Sequence, residues 1–138
     1  MWWIFALLSA LFAALTAIFA KVGIKGVDTD LATAIRTVII LILAWGIAFF
    51  RGGLSTMNTL SRQNIIFLCL SGIATGLSWI FYFKALQIGK VSQVAPVDKL
   101  SVAIAIVLSV IFLHEKVSVQ GVIGAGLIVS GTIVLIYS

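Results

Sequence analysis

Apolar residues occur along this chain in five long runs that are separated by short polar segments. The runs cover residues 2–20, 31–50, 65–83, 94–113 and 119–136. Each is about 20 residues long, which matches a hydrocarbon core ~30 Å thick at the helical rise per residue. A bilayer offers no partners to unpaired backbone groups, so a spanning segment of this kind must be a helix. The pattern predicts an all-α integral membrane protein with five transmembrane helices.

Polar residues and glycines at the ends of the runs predict where the helices begin and end. Asp30 and Ser92 are the expected N-caps of the second and fourth helices. Pro96 then falls in the first turn of the fourth helix, where proline is tolerated. Gly52 and Gly53 are expected to end the second helix. The first run has no basic residue ahead of it and exceeds the apolar length of a signal peptide, so we interpret it as a retained helix.

Composition extends the membrane assignment to the whole molecule. Hydrophobic residues make up 62% of the chain and charged residues 9%, which leaves no room for a sizeable soluble domain. Most charges lie at or near the ends of the apolar runs, so the net charge of +5 indicates contact with the lipid surface and not with nucleic acid. Five spans put the termini on opposite sides. We call the side with the first and third connections and the C-terminus side A; lysine and arginine bias toward it only weakly.

Small residues recur at helical spacing in the first, third and fifth runs. In lipid, helices associate through close packing and interhelical hydrogen bonds, which such residues permit. The pattern predicts packing faces, and hence a compact bundle or a dimer. The residues expected to form these faces are Ala6, Ala10, Ala13, Ala17, Gly72, Gly76, Gly121 and Gly131.

The third helix also carries a polar and aromatic face that is the best candidate for a solute pocket. Ser71, Thr75, Ser78 and Tyr82 lie on one stripe, and Trp79 lies on the adjoining stripe with Gly72, Gly76 and Phe83. Trp79 and Tyr82 could stack on a ring or cation in a pocket. They could equally form part of an interfacial aromatic belt.

Three charges lie within the apolar runs, where they are costly and therefore informative. Arg36 lies in the second helix, and Asp98 and Lys99 lie in the fourth. One interpretation is that Arg36 and Asp98 polarise the pocket from side A. The alternative is an ion pair between Arg36 and Asp98 that joins two helices, with Lys99 extending to the interface. Lys84 is expected to extend toward the interface at a helix end.

Catalysis finds little support in these residues. The chain has no paired acids at helical spacing, no phosphate-binding loop and no nucleophile with a nearby base. Cys69 is the single cysteine and His114 the single histidine, so we expect no metal site and no cofactor. The sequence predicts that the protein is not an enzyme.

Two segments identify a family resemblance: YFKALQIGKVSQVAPVDKLS (Tyr82 to Ser101) and FLHEKVSVQGVIGAGLIVSG (Phe112 to Gly131). Together with the opening alanine-rich helix, they resemble EamA-domain proteins of the drug/metabolite transporter superfamily over the whole chain. Glu115 stands at the position of the family's turn glutamate, and His114 replaces what is commonly a glycine. Larger members carry two such units in ten helices, so this chain resembles half of an inverted-repeat transporter.

The resemblance implies a secondary transporter or exporter of small metabolites in the cell (inner) membrane. A single unit would work as a homodimer, either antiparallel or parallel, or with another partner. The substrate-binding residues would be Ser71, Thr75, Ser78, Trp79, Tyr82, Arg36 and Asp98. The first helix has no acid, which argues against the proton-driven cation exchange of small multidrug relatives. The alternatives are a lipid-carrier flippase subunit and a scaffold subunit that transports nothing.

Overall fold

The computed structural model describes all 138 residues and consists of helices and their connections. The helices are α1 (Trp2–Gly23), α2 (Thr29–Phe50), α3 (Arg62–Ile88), α4 (Val91–Asp98), α5 (Leu100–Phe112) and α6 (Val119–Ile136), and a 3₁₀ helix spans Gly53–Thr59. Five segments are long and apolar enough to cross a membrane, because α4 and α5 together form one of them, Val91–Phe112. The predicted all-α fold with five spanning helices is confirmed.

The helix caps differ in part from those expected. Asp28, and not Asp30, caps α2, since its carboxylate accepts a hydrogen bond from the Leu31 N–H at 2.9 Å. The fourth span begins after Lys90, whose side chain makes no capping hydrogen bond, so the expected Ser92 cap is wrong. Gly52 follows the end of α2 with a φ of 74°, a left-handed conformation that glycine adopts without steric cost.

The fourth span is interrupted at Lys99, which separates α4 from α5. Pro96 lies in the second turn of α4 and not in the first, so its ring and missing N–H disturb the helical hydrogen bonds. The Lys99 N–H donates to the carbonyls of Ala95 at 3.3 Å and Pro96 at 3.0 Å, a tightened turn. The buried Thr132 hydroxyl of α6 also donates to the Pro96 carbonyl, at 3.2 Å. The interruption is therefore held by a contact with α6.

The chain divides into two compact units. Unit 1 comprises Met1–Ile18 and Ile88–Ser138, and unit 2 comprises Phe19–Gln87. Within unit 1, α4 and α5 pack against α6, and the Gln93 amide donates to the Ile136 carbonyl at 3.2 Å. Within unit 2, the buried residues are Ala20, Ile24, Thr29, Thr33, Phe83 and Leu86. These residues lie toward the side-A ends of α1, α2 and α3, so the core of unit 2 is at that end.

The turn between α5 and α6 contains the chain's one non-glycine residue with a positive φ, His114 at 55°. This conformation lets the Glu115 N–H reach back to the Ser109 carbonyl at 3.3 Å. A residue with a Cβ pays about 1 kcal/mol in this region, which explains why glycine suits the position.

Replacing His114 with glycine is expected to stabilise the protein by up to about 1 kcal/mol, because the Cβ strain disappears. The free energy of unfolding, measured by detergent denaturation in mixed micelles, checks this result. His114→Ala is the control, since alanine removes the imidazole and keeps the Cβ, and it should give no such gain. Equal gains in both variants would show that the imidazole, and not the backbone, is the source of strain.

Candidate functional site

Polar side chains hold the side-A end of unit 2 together. The carbonyls in the last turn of a helix lack partners within the helix, and side chains from neighbouring elements satisfy several of them here. The Lys21 ammonium donates to the Leu86 carbonyl, which joins α1 to α3. The Gln87 amide donates to the carbonyls of Val27 at 3.0 Å and Ile24 at 3.4 Å. The end of α3 is thereby fixed to the end of α1 and the connection to α2.

An ion pair adds a contact between α2 and α3 at the same end. Lys84 Nζ lies 3.5 Å from Asp30 Oδ1, and both side chains are about half exposed. An exposed pair of this kind contributes little to stability. It does occupy the Asp30 carboxylate. Lys84 lies near the end of α3, as expected, and it also has an acidic partner there.

Arg36 lies farther into the membrane span, two helical turns or ~10 Å beyond Thr29. Its guanidinium carbon is 5.1 Å from the ring centroid of Trp79 and 4.5 Å from that of Phe83. Trp79 and Phe83 are four residues apart on α3, so they share one face of that helix. Both rings are within the range of a cation–π interaction, which strengthens when the cation is shielded from water. We call these three residues the Arg36 cluster.

The Arg36 guanidinium retains unused hydrogen-bonding capacity. Its Nη1 is buried and has no hydrogen-bond partner. The two acids of unit 2 have other contacts, because Asp28 caps α2 and Asp30 pairs with Lys84. Aromatic faces compensate only part of the cost of a charge in the membrane. The cluster therefore has a positive charge with no carboxylate of its own unit beside it.

The structure brings some of the predicted site residues together. Arg36 and Trp79 are in contact, and Tyr82 is close enough to Arg36 for an electrostatic interaction. Tyr82 also packs beside Phe83, with ring centroids 6.0 Å apart. Sequence reasoning placed Phe83 on the Trp79 stripe and gave it no role in the site. The spacing of Trp79 and Phe83 was the signal that could have identified this aromatic pair.

The remaining predicted site residues are outside the cluster. Ser71, Thr75 and Ser78 are exposed on α3, and the Thr75 hydroxyl donates to the Ser71 carbonyl of its own helix at 2.8 Å. Asp98 belongs to unit 1, where its carboxylate lies 3.3 Å from Lys99 Nζ. Binding of solute by these four residues, and the alternative ion pair between Arg36 and Asp98, stay predictions.

The predicted packing faces are largely open within the chain. A Cβ added at Gly72, Gly76 or Gly131 would meet no atom within 4 Å. At Gly121 it would come within 2.9 Å of Val117 Cγ1, a contact inside the turn before α6. Ala17 is buried, whereas three other alanines of this face are exposed: Ala6, Ala10 and Ala13. The roles of these residues in helix packing stay predictions.

Comparison with known proteins places these features in a family context. The model of the EamA-like transporter family matches residues 1–137. A curated protein from a Sinorhizobium species, named "Uncharacterized transporter in cobO 3'region", is 44% identical over 134 residues. The alignment covers 97% of this chain and 95% of that relative. No solved structure matches the chain.

Proposed function

Because the chain belongs to the EamA-like transporter family, we propose that it is a secondary transporter that exports small metabolites across the cell membrane as a dimer. The five spanning helices make it an integral, multi-pass membrane protein, and membership of a transporter family supports a role other than catalysis. The observation that carries the proposal is the family match over residues 1–137. The Arg36 cluster supports it, since a charged group inside a membrane span is by default a candidate site for a transported solute.

The number of spans supports the proposed dimer. Many secondary transporters bind substrate at the interface of two repeats with opposite membrane orientation. A five-helix unit supplies one repeat, and a second copy inserted in the opposite orientation would supply the other. The alignment covers 95% of the Sinorhizobium relative, so a protein named as a transporter is about as long as this chain. The open space beside Gly72 and Gly76 gives a second copy room for close helix contact.

Transport is tested with the purified protein in liposomes. Internal pools of radiolabelled amino acids, organic acids, sugars and amines are each assayed for loss to the outside, against liposomes without protein. The proposal expects at least one of these classes to leave faster in the presence of the protein. If none does, and the protein instead copurifies with a fixed membrane partner, the scaffold interpretation replaces transport.

The dimer is tested by crosslinking in a Cys69→Ser background. Gly76→Cys is the reporter, because a new side chain at Gly76 meets nothing within the chain. Ala74→Cys, on the opposite face of α3, is the matched control. An antiparallel dimer predicts crosslinking at position 76 only, with tags on each terminus accessible from both sides of the membrane. A single fixed orientation with monomers only would contradict it.

A further inference from the structure

We infer that the Arg36 cluster binds the oxyanion group, a carboxylate or phosphate, of a small anionic solute. This inference rests on the proposed function, because it assigns the substrate class of the transporter. The cluster comprises the Arg36 guanidinium and the faces of Trp79 and Phe83 at 5.1 and 4.5 Å from it. It lies within unit 2, where Arg36 belongs to a helix that is long and apolar enough to cross a membrane.

The first argument is the missing counter-charge. An arginine in a membrane span is normally paired with an acid or with backbone carbonyls. In unit 2 the carboxylates of Asp28 and Asp30 are engaged elsewhere, and Arg36 Nη1 has no acceptor. An anion that reached the guanidinium would satisfy the unused donor and neutralise the charge together. No neutral ligand does both.

The second argument is the role of the aromatic rings. Trp79 could serve as a platform for a cationic solute, but its face is directed at the protein's own guanidinium. A cation there would also be repelled by Arg36. Two rings one helical turn apart instead fix the orientation of the guanidinium, whose planar set of N–H groups suits a carboxylate or phosphate. The geometry therefore disfavours a cation and favours an oxyanion.

The third argument is the balance of charge around the approach from side A. Outside the cluster, three cationic residues of unit 2 lie toward this end, and two acids oppose them. The cations are Lys21, Lys25 and Lys84, and the acids are Asp28 and Asp30. A surplus of positive charge raises the local concentration of anions and lowers that of cations. The charges around the approach therefore favour anions over cations, as the cluster does.

Trp79 provides a direct reporter of binding. The other tryptophans are replaced with phenylalanine (Trp2→Phe, Trp3→Phe and Trp45→Phe), so that fluorescence comes from Trp79 beside Arg36. The protein, in a maltoside detergent without phosphate, is titrated with acetate, glutarate and inorganic phosphate, and with tetramethylammonium as the cationic counterpart. We expect a saturable change in fluorescence with at least one anion and none with tetramethylammonium.

Variants at Arg36 test whether the guanidinium carries the binding. Arg36→Gln is expected to weaken anion binding by about tenfold or more, the loss that follows from removing a charge-assisted hydrogen bond. Arg36→Lys keeps the charge and loses the planar donor set, so its loss should be smaller. Arg51→Gln removes the same guanidinium at the other end of α2 and should leave the affinity within about twofold. Helix content by circular dichroism and monodispersity in gel filtration verify that each variant is folded.

Several results would overturn the inference. One is an equal response to tetramethylammonium, and another is an unchanged affinity in folded Arg36→Gln. A fluorescence change that requires phospholipid nanodiscs and ignores added anions would assign the site to a lipid headgroup. Loss of the dimer in Arg36→Gln without any anion response in the parent would assign it to a carboxylate of a second copy.

The inference and the proposed function can fail separately. If the protein moves a neutral or cationic solute in liposomes while Trp79 does not respond to anions, the transporter stands and the anion site is wrong. If Trp79 responds to anions through Arg36 and no solute crosses the membrane, the anion site stands and transport is wrong.

Discussion

Replacing Trp79 with alanine is expected to lower the flux of the transported solute about tenfold. The indole faces the Arg36 guanidinium at 5.1 Å, and a shielded cation–π contact contributes about 1–2 kcal/mol. Without the ring, the guanidinium loses the surface that orients it. Solute binding then becomes weaker, because the bound solute needs the guanidinium in that orientation. Initial rates in proteoliposomes, for a solute that the unmodified protein is found to move, measure the effect.

Trp45→Ala is the control for this prediction. Trp45 lies on α2, as Arg36 does, but its side chain is half exposed on the part of the helix nearer the other side of the membrane. Trp45→Ala also removes an indole, but Trp45 is not part of the Arg36 cluster, so flux should stay within about twofold of that of the unmodified protein. Equal losses in the two variants would indicate a general need for tryptophan at the membrane surface and would exclude a specific role for the cluster.

Phe83→Ala is expected to destabilise the protein by about 3 kcal/mol. Phe83 is fully buried, at 0% exposure, and its ring also lies 4.5 Å from the Arg36 guanidinium. The expected cost is at the lower end of the range for such substitutions. When α3 separates from its neighbours, the Phe83 ring stays in an apolar environment, so only its packing contacts are lost. Denaturation by sodium dodecyl sulfate in mixed micelles, followed by loss of helicity, gives the free energy.

Phe81→Ala is the matched control on the same helix. Phe81 is 69% exposed, so its truncation removes few contacts within the chain and should cost less than about 1 kcal/mol. A loss at position 81 as large as that at position 83 would mean that the buried core at the side-A end of unit 2 does not determine stability.

The spanning helices could be predicted from the sequence because lipid imposes a single solution on a long apolar run. The ends were harder. Asp28 and Asp30 are both good caps, and only the path of the chain decides that Asp28 binds the Leu31 N–H and Asp30 meets Lys84. The interruption at Lys99 depends on Pro96 lying in the second turn, which follows from a helix that starts earlier than its apolar run.

The candidate site could be predicted in part. The cost of a charge in the membrane identified Arg36, and helical spacing identified the face of Trp79. Periodicity gives the faces of one helix at a time, however, and does not say which helix each face meets. The contact of Arg36 with Phe83, and the hydrogen bonds from Gln87 to the α1–α2 connection, are long-range contacts of this kind.

Cysteine accessibility is the most direct test of the central claim, that the polar face of α3 lines a path for solute. Single cysteines at Thr75, Ser78 and Tyr82, in a Cys69→Ser background, are treated in membranes with a water-soluble thiol reagent. Ile73→Cys and Leu77→Cys, on the opposite face of the helix, are the controls. The account predicts that the reagent labels positions 75, 78 and 82 and leaves 73 and 77 unmodified. Protection of 75, 78 and 82 to the same extent as 73 and 77 would place that face in acyl chains and contradict the account.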